Sequence, residues 1–315
     1  MIYYIFLDGV GFGENNPDKN PFSKFAKGFF LPLGGKEVPD SSPYSKGKYV
    51  RTDANMGLKG LPQSATGQTS LWTGINAVEV IGRHVSGVPS FTLKKIIAKH
   101  SIMKIFKEHG YSSAFLNCYS DVFFSRMEEN RRLISASTLI QMAADIPFRT
   151  FEDLRKGNGL FMDITHDILQ EFGKKFLSPD DELFQKRDPF EMGKRSVVLA
   201  RNQDLTMFEY FLTDKTGHSQ NWEHAKQVIA TVEKFMDGVL SELNPETEHL
   251  IVTSDHGNLE DLSDKVHTSN PVPTFLYGKY SDSMKDKIKT LADIVPAIYS
   301  ELNIPEKPVY VKQEG

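Results

Sequence analysis

Three apolar runs along this chain each end in an aspartate. Ile2 to Leu7 precede Asp8, Phe208 to Thr213 precede Asp214, and His249 to Ser254 precede Asp255. All three read as strands of one parallel sheet. Between the second and third lies the clearest helical stripe, in which Trp222, Ala225, Val228, Ile229, Val232, Phe235, Met236, Val239, Leu240 and Leu243 recur at i, i+3, i+4 and i+7. Strand, helix, strand is a βαβ unit with a right-handed crossover. A helix near Glu191 to Asn202, a short strand from Pro273 to Tyr277 and a final helix from about Ile288 to Leu302 complete the pattern. The predicted fold class is α/β, a three-layer α/β/α core with a mostly parallel central sheet, plus a small inserted α+β cap domain.

Two stretches break the pattern. Gly9 to about Gly60 is rich in Gly, Pro, Ser, Asn and Lys and sustains neither period. It is too long for an ordinary connection, so it packs over a site or is partly mobile. The segment Pro89 to Asp188 has its own alternation, a helix through Leu93 to His109, a strand Ser113 to Cys118 and a helix Ser137 to Ala144. It is assigned as the cap, residues 89–188, leaving 1–88 and 189–315 as the core. Arg126, Arg131, Arg132, Arg149, Arg155 and Lys156 in its loops are candidates to meet an anionic substrate, or solvated surface charge.

The 315 residues carry 37 Lys and Arg against 41 Asp and Glu, a formal net charge of -4. That balance gives no footprint for nucleic acid or an anionic membrane. Cys118 is the sole cysteine, so an intrachain disulfide and a thiolate zinc cluster are excluded. Met1 to Asp8 lack a basic leader, and no apolar run reaches membrane-spanning length. The cytoplasm is the expected location.

In open α/β sheets ligands gather at the carboxyl edge, where the three aspartates fall. Asp214 is followed by His218, Asp255 by His256, and His267 comes close behind. Carboxylates and imidazoles on one edge point to a metal site of oxygen and nitrogen ligands. Two pockets are drawn: Asp214, His218 and His267 in one, and Asp8, Asp255, His256 and a hydroxyl oxygen in the other. A pair of divalent ions clamps the attacking and leaving oxygens of an in-line phosphoryl displacement. Singly, each residue has a plainer role, such as a helix cap or the tight turn Asp255-His256-Gly257-Asn258. An aspartyl-phosphate mechanism on Asp8 requires a second acid two residues on, where this chain has Val10. Ser64 to Gly74 reads as a loop entering a helix, whose hydroxyl-rich start favours anion binding by free N–H groups.

Five segments carry a family resemblance: Leu7-Asp8-Gly9-Val10-Gly11-Phe12-Gly13-Glu14, Ser64-Ala65-Thr66-Gly67-Gln68 leading to Thr73-Gly74, Thr213-Asp214-Lys215-Thr216-Gly217-His218, Ser254-Asp255-His256-Gly257-Asn258 and His267-Thr268-Ser269-Asn270-Pro271-Val272-Pro273. Together they resemble the motifs of the alkaline phosphatase superfamily, in family order, and most closely its metalloenzyme branch of cofactor-independent phosphoglycerate mutase and phosphopentomutase. Residues 90 to 190 match only by occupying the place of the family's cap. The resemblance implies a phosphoenzyme formed on a hydroxyl between two divalent ions. Ser64 stands at the nucleophile's place, with Thr66 as fallback. Asp8, Ser64, Asp255 and His256 hold one implied metal, and Asp214, His218 and His267 the other. Manganese is favoured for the oxygen-rich set, with zinc as the second candidate.

The chain departs from the mutases in two respects. Gln68 replaces the histidine that usually ends the nucleophile motif, and the chain is shorter, with a compact cap. A phosphoenzyme is harder to shield from water under a small cap. The expected activity is therefore two-metal phosphoryl transfer on a small phosphorylated substrate, hydrolysis of a phosphomonoester slightly ahead of intramolecular phosphomutase chemistry. Phosphodiester, phosphonate or sulfate ester cleavage follows, and a non-catalytic metal-containing binding protein is the alternative of another class. Arg83 and His84, near the entry to the cap, are candidate phosphate contacts.

Overall fold

A computed structural model describes residues 1–310. Its strands are Ile2–Leu7 (β1), Lys48–Thr52 (β2), Ser113–Phe115 (β3), Cys118–Tyr119 (β4), Arg149–Thr150 (β5), Leu205–Tyr210 (β6), His249–Thr253 (β7) and Val272–Gly278 (β8). Six make one sheet in the order β2-β8-β7-β1-β6-β3, while β4 and β5 pair on their own. β1 is central and parallel to both neighbours, with Leu7 opposite Tyr210 of β6 and Phe6 opposite Thr253 of β7. β8 alone runs against its neighbours β2 and β7.

Every residue of β1 is buried, and alternate side chains enter different cores. Tyr3, Ile5 and Leu7 pack with Val197, Ile229, Phe235 and Val239 from the helices Pro189–Ala200 and Trp222–Glu242. Ile2, Tyr4 and Phe6 pack on the other face with Leu71, Trp72, Ile97, Ile102 and Ile298. Two filled faces make the predicted three-layer α/β/α arrangement.

The two helices on the first face approach closely because each presents a glycine. A Cβ at Gly238 would lie 2.0 Å from the Phe190 carbonyl oxygen, and one at Gly193 2.1 Å from that of Phe235. Alanine at 238 gains about 1 kcal/mol of helix propensity, but overpacking against rigid backbone costs about 1–3 kcal/mol. Gly238→Ala is therefore expected to lower the urea midpoint. An unchanged or raised midpoint would show that the helices separate freely.

Several boundaries differ from the sequence reading. The Gly9 to Gly60 stretch is ordered by its own short elements, the helix Pro21–Phe25, two 3-10 turns and β2. Phe22, Phe29, Phe30 and Tyr44 are buried, and the Glu233 carboxylate accepts N–H bonds from Lys27, Gly28 and Phe30. Anchoring by single aromatics leaves no periodic trace. The second apolar run leaves the sheet at Tyr210, and Leu212–Ser219 is already helix, so Asp214 sits in a helical first turn rather than at a strand end. The helix predicted from Leu93 to His109 breaks at Ser101, whose hydroxyl donates to the Ile140 carbonyl, into Phe91–His100 and Ile102–Glu108.

The cap limits 89–188 also require correction. β3, assigned to the cap, pairs with β6 and completes the main sheet. The helix Ala136–Ala143 follows it, placing Ala136 and Ile140 in the second core. What remains as a separate cluster is smaller, comprising Cys118, Phe151, Leu154, Phe161, Leu169 and Leu183. Apolar edge residues such as Ala114 and Phe115 carry no mark of which sheet they will join. No helix is long and apolar enough to cross a membrane.

Candidate metal centre

The convergence of the site follows from the strand order. β6, β1 and β7 are adjacent and parallel, so the residues after their carboxyl ends emerge side by side. Asp8 follows β1 directly, and Gly9 then turns the chain with φ +67°. A Cβ on Gly9 would sit 2.6 Å from Asp214 Oδ1, so only glycine lets this turn and that carboxylate approach. Asp214 and His218 lie four residues apart on the helix Leu212–Ser219 and face the same way. After β7, the Ser254 hydroxyl accepts from Val10 N–H at 2.8 Å and donates to the His256 carbonyl at 3.0 Å, tying the Asp255 turn to the Asp8 turn.

Two groups of donors result. His256 Nε2 lies 3.5 Å from Asp8 Oδ1, 3.5 Å from Asp255 Oδ2 and 3.1 Å from Ser64 Oγ. His218 Nε2 lies 3.3 Å from Asp214 Oδ2 and 3.3 Å from His267 Nε2, which is 3.7 Å from Asp214 Oδ1. Between them His256 stacks on His267 with ring centroids 3.6 Å apart. Its Nδ1 comes within 4.0 Å of Asp214 Oδ1, so His256 touches both groups rather than one. All seven residues expected at the metals are therefore brought together.

The chemistry of this set calls for cations. Backbone carbonyls of Lys265 and Pro62 lie 2.7 Å and 2.8 Å from Nδ1 of His218 and His267. A carbonyl only accepts, so each Nδ1 carries a proton and Nε2 is the ring nitrogen turned towards the acids. Those two nitrogens face each other beside the Asp214 carboxylate, a spacing that suits ligands of one ion. Asp8, Asp214 and Asp255 crowd together, and among the described residues their ion-pair partners are histidines alone. Burial, then the charges of Asp255 and Asp214, hold the Asp8 carboxyl well above its usual range. Asp255 is pushed up to about 7 by burial and by Asp214, and burial followed by His267 pushes His256 down to about 3. Asp8 Oδ1 and His256 Nδ1 are buried without a hydrogen-bond partner. Three carboxylates, three imidazoles and a hydroxyl fit divalent ions of the manganese or zinc kind.

Three positioning residues were not singled out from sequence as supports. The Gln68 amide donates to Asp255 Oδ2 at 3.0 Å, and the Asn258 amide donates to Asp214 Oδ1 at 2.6 Å. Glu260, fully buried, accepts from the N–H groups of Gly11 and Asn258 and from the Thr268 hydroxyl, joining three loops. Gln68 and Asn258 stood inside recognised motifs; Glu260 left no signal, since a glutamate in a polar loop reads as solvated.

Ser64 opens the helix Ser64–Thr73, but the predicted anion cradle there is already filled. Ala65 and Thr66 donate their N–H groups to the Val85 carbonyl at 3.0 Å and 3.3 Å. Thr66, the fallback nucleophile, is excluded by burial: its hydroxyl donates to the Gln63 carbonyl and accepts from Val85 N–H. Arg83 and His84 line an open hollow beside Gln63 instead of the metal donors. In the segment assigned from sequence to a cap, Arg149 donates to the carbonyls of Phe115 and Asn158, Arg155 pairs with Asp181 at 2.7 Å, and Lys156 pairs with Glu152, which leaves them structural or solvated. Arg126 lines a different hollow, Arg132 is exposed, and the Arg131 side chain lies outside the described residues.

Residues 190–306, which carry Asp214, His218, Asp255, His256 and His267, match the Metalloenzyme superfamily model. A 2,3-bisphosphoglycerate-independent phosphoglycerate mutase of Ehrlichia canis is 33% identical over 34% of this chain and 23% of its own length. A mutase of the same name from Clostridium botulinum is 30% identical over 33% of this chain and 21% of its own. The matched part thus spans under a quarter of those enzymes. By structure, the PH0037 protein of Pyrococcus horikoshii superposes with TM-score 0.58 at 13% identity, over 97% of both chains. The alkaline phosphatase of the Antarctic bacterium TAB5 follows with 0.52 at 13% identity, over 96% of this chain and 98% of that one. The matched family model is that of a superfamily of metalloenzymes. Over residues 190–306 the chain resembles the Metalloenzyme superfamily and cofactor-independent phosphoglycerate mutase, and its fold is similar to that of alkaline phosphatase.

Proposed function

We propose that this enzyme transfers the phosphoryl group of a small phosphoester through a phosphoserine on Ser64. The observation that carries the reading is the place of the Ser64 hydroxyl, at a helix start and 3.1 Å from His256, at the edge of the Asp8 and Asp255 carboxylates. Asp8, Ser64, Asp255 and His256 would hold one divalent ion and Asp214, His218 and His267 the other. Manganese is the proposed metal, with zinc second. Such ions offset phosphate charge and sharpen a hydroxyl as nucleophile. Ser64 Oγ forms the new P–O bond, the ester P–O bond breaks, and a later acceptor hydroxyl releases the group from serine. Gln68 and Asn258 hold the Asp255 and Asp214 carboxylates in position throughout.

Water as the acceptor, hence phosphomonoesterase activity, is favoured by an accessible site: the His218 side chain is 44% exposed and the cap cluster is small. Intramolecular phosphomutase chemistry is the second reading, favoured by the mutase names among the sequence relatives. A cytoplasmic location accompanies the single buried thiol, whose pKa burial raises to about 12. Incubating manganese-loaded enzyme with p-nitrophenyl phosphate and with 3-phosphoglycerate separates the readings. Free phosphate from both is expected. Conversion to 2-phosphoglycerate without phosphate release would establish a mutase, and loss of neither activity on chelation would refute metal-dependent transfer.

A further inference from the structure

The segment Pro62–Gln63–Ser64 is shared by two environments. The Pro62 carbonyl holds His267, and Ser64 touches His256, while the Gln63 side lines an open hollow of about 610 Å³. Neighbouring Cα atoms are about 3.8 Å apart, so a residue that lines the hollow sits between two that touch the metal donors. The hollow is lined by Lys59, Gln63, Arg83, His84 and Ser86 together with backbone at Gly60 and Gly82, and by no acidic residue. In a chain of net charge -4 that is a local excess of cationic side chains.

Its polar groups are also held in place. His84 Nε2 lies 3.2 Å from the Leu58 carbonyl, so that nitrogen donates and Nδ1 is the free position. Nδ1 is buried and has no hydrogen-bond partner. Gly60, at φ +137°, lets the ring approach: a Cβ there would lie 2.9 Å from His84 Cδ2. Among the described residues neither Lys59 nor Arg83 forms an ion pair with a carboxylate. The backbone from Gly82 to Val85 is fastened to the nucleophile helix by the Val85 bonds to Ala65 and Thr66, which fixes the hollow relative to Ser64.

We propose that this hollow receives a second anionic group of the substrate, a carboxylate or a further phosphate, carried by the same small molecule whose phosphoryl group meets Ser64. The proposal rests on the phosphoryl-transfer reading and narrows it to phosphoesters that are acidic at a second position. Lys59 and Arg83 supply the countercharge, and Arg83 also offers a planar fork matched to carboxylate or phosphate. A neutral alcohol at that position leaves both cations without a partner.

Calorimetry on manganese-loaded Ser64→Ala protein tests this with three ligands on one carbon skeleton: glycerol 3-phosphate, 3-phosphoglycerate and glycerol 1,3-bisphosphate. At least one of the two acidic ligands is expected to bind about tenfold or more tightly than glycerol 3-phosphate, the size of one charge-assisted contact. Which one gains identifies the second group. Lys59→Met combined with Arg83→Met should bring the ratio of dissociation constants near one, whereas Lys59→Arg with Arg83→Lys should keep it. Equal affinities in the parent protein, absence of binding, or a ratio indifferent to the methionine pair would overturn the proposal. Failure of the underlying reading shows separately, as no metal-dependent turnover by protein with Ser64 intact.

Discussion

Ser64→Ala is expected to reduce phosphoester turnover by about a thousandfold or more, the scale on which loss of a nucleophile acts. The same variant should keep its bound metal and its melting temperature. The reason is geometric: the other six donors remain, and the Ser64 hydroxyl has His256 as its hydrogen-bond partner. Thr66 cannot substitute, since its hydroxyl is turned inward onto Gln63 and Val85. Brief incubation with 32P-labelled substrate and acid quench should label the native protein on serine and leave the variant unlabelled. Turnover within tenfold of native in the variant would remove Ser64 from the mechanism.

Chelation is expected to abolish turnover and to make stability fall with rising pH between about 6.5 and 8. Asp255 and Glu209 are pushed up to about 7, chiefly by burial, and Asp8 is raised well above the ordinary carboxylate range. With the native state binding more protons than the unfolded chain, stability is lost as pH climbs through the folded pKa values. Below about 6.5 the trend is opposed. His256 at about 3 and His166 and His249 at about 4 are buried neutral, and each favours folding as pH rises from its folded pKa toward the unfolded value. The carboxylates therefore act alone only in the upper window. Adding manganese back should flatten the slope, because a bound cation replaces the proton as countercharge. Thermal melts of chelated and reloaded protein at pH 6.5 and 8 decide this: identical slopes with and without metal would mean that the acid cluster holds no ion. Asp8→Asn sharpens the test, since it should stabilise the chelated protein at pH 8 while abolishing turnover.

Much of this site was legible because its chemistry is local to motifs. Asp8, Asp214 and Asp255 followed apolar runs that had to be buried strands or their immediate ends, and the spacing of His218 from Asp214 suits one helix face. Burial on both faces of a strand imposes an unbroken apolar string, so the central strands could be read one at a time. Gln68 stood out as a departure from the family motif, and its bond to Asp255 shows what the changed residue does here.

Other features belong to contacts between distant segments. His256 bridging both donor groups depends on how three loops close over one sheet edge. The blocked N–H groups of the Ser64 helix depend on Val85, nearly twenty residues away, and the buried role of Glu260 depends on Gly11 and Thr268. Likewise β3 joined the main sheet through hydrogen bonds to β6, about ninety residues downstream, which moved the cap boundary. By itself, then, the amino-acid order determined the class of fold and picked out the candidate metal donors, with Ser64 added by the family resemblance. The fold class and the acid and histidine candidates follow from periodicity and from side-chain chemistry within a few residues. Strand order, the sharing of His256, the filled helix terminus and the cationic hollow were decided only by tertiary structure, because each is a relation between backbone groups that meet after long stretches of chain have closed.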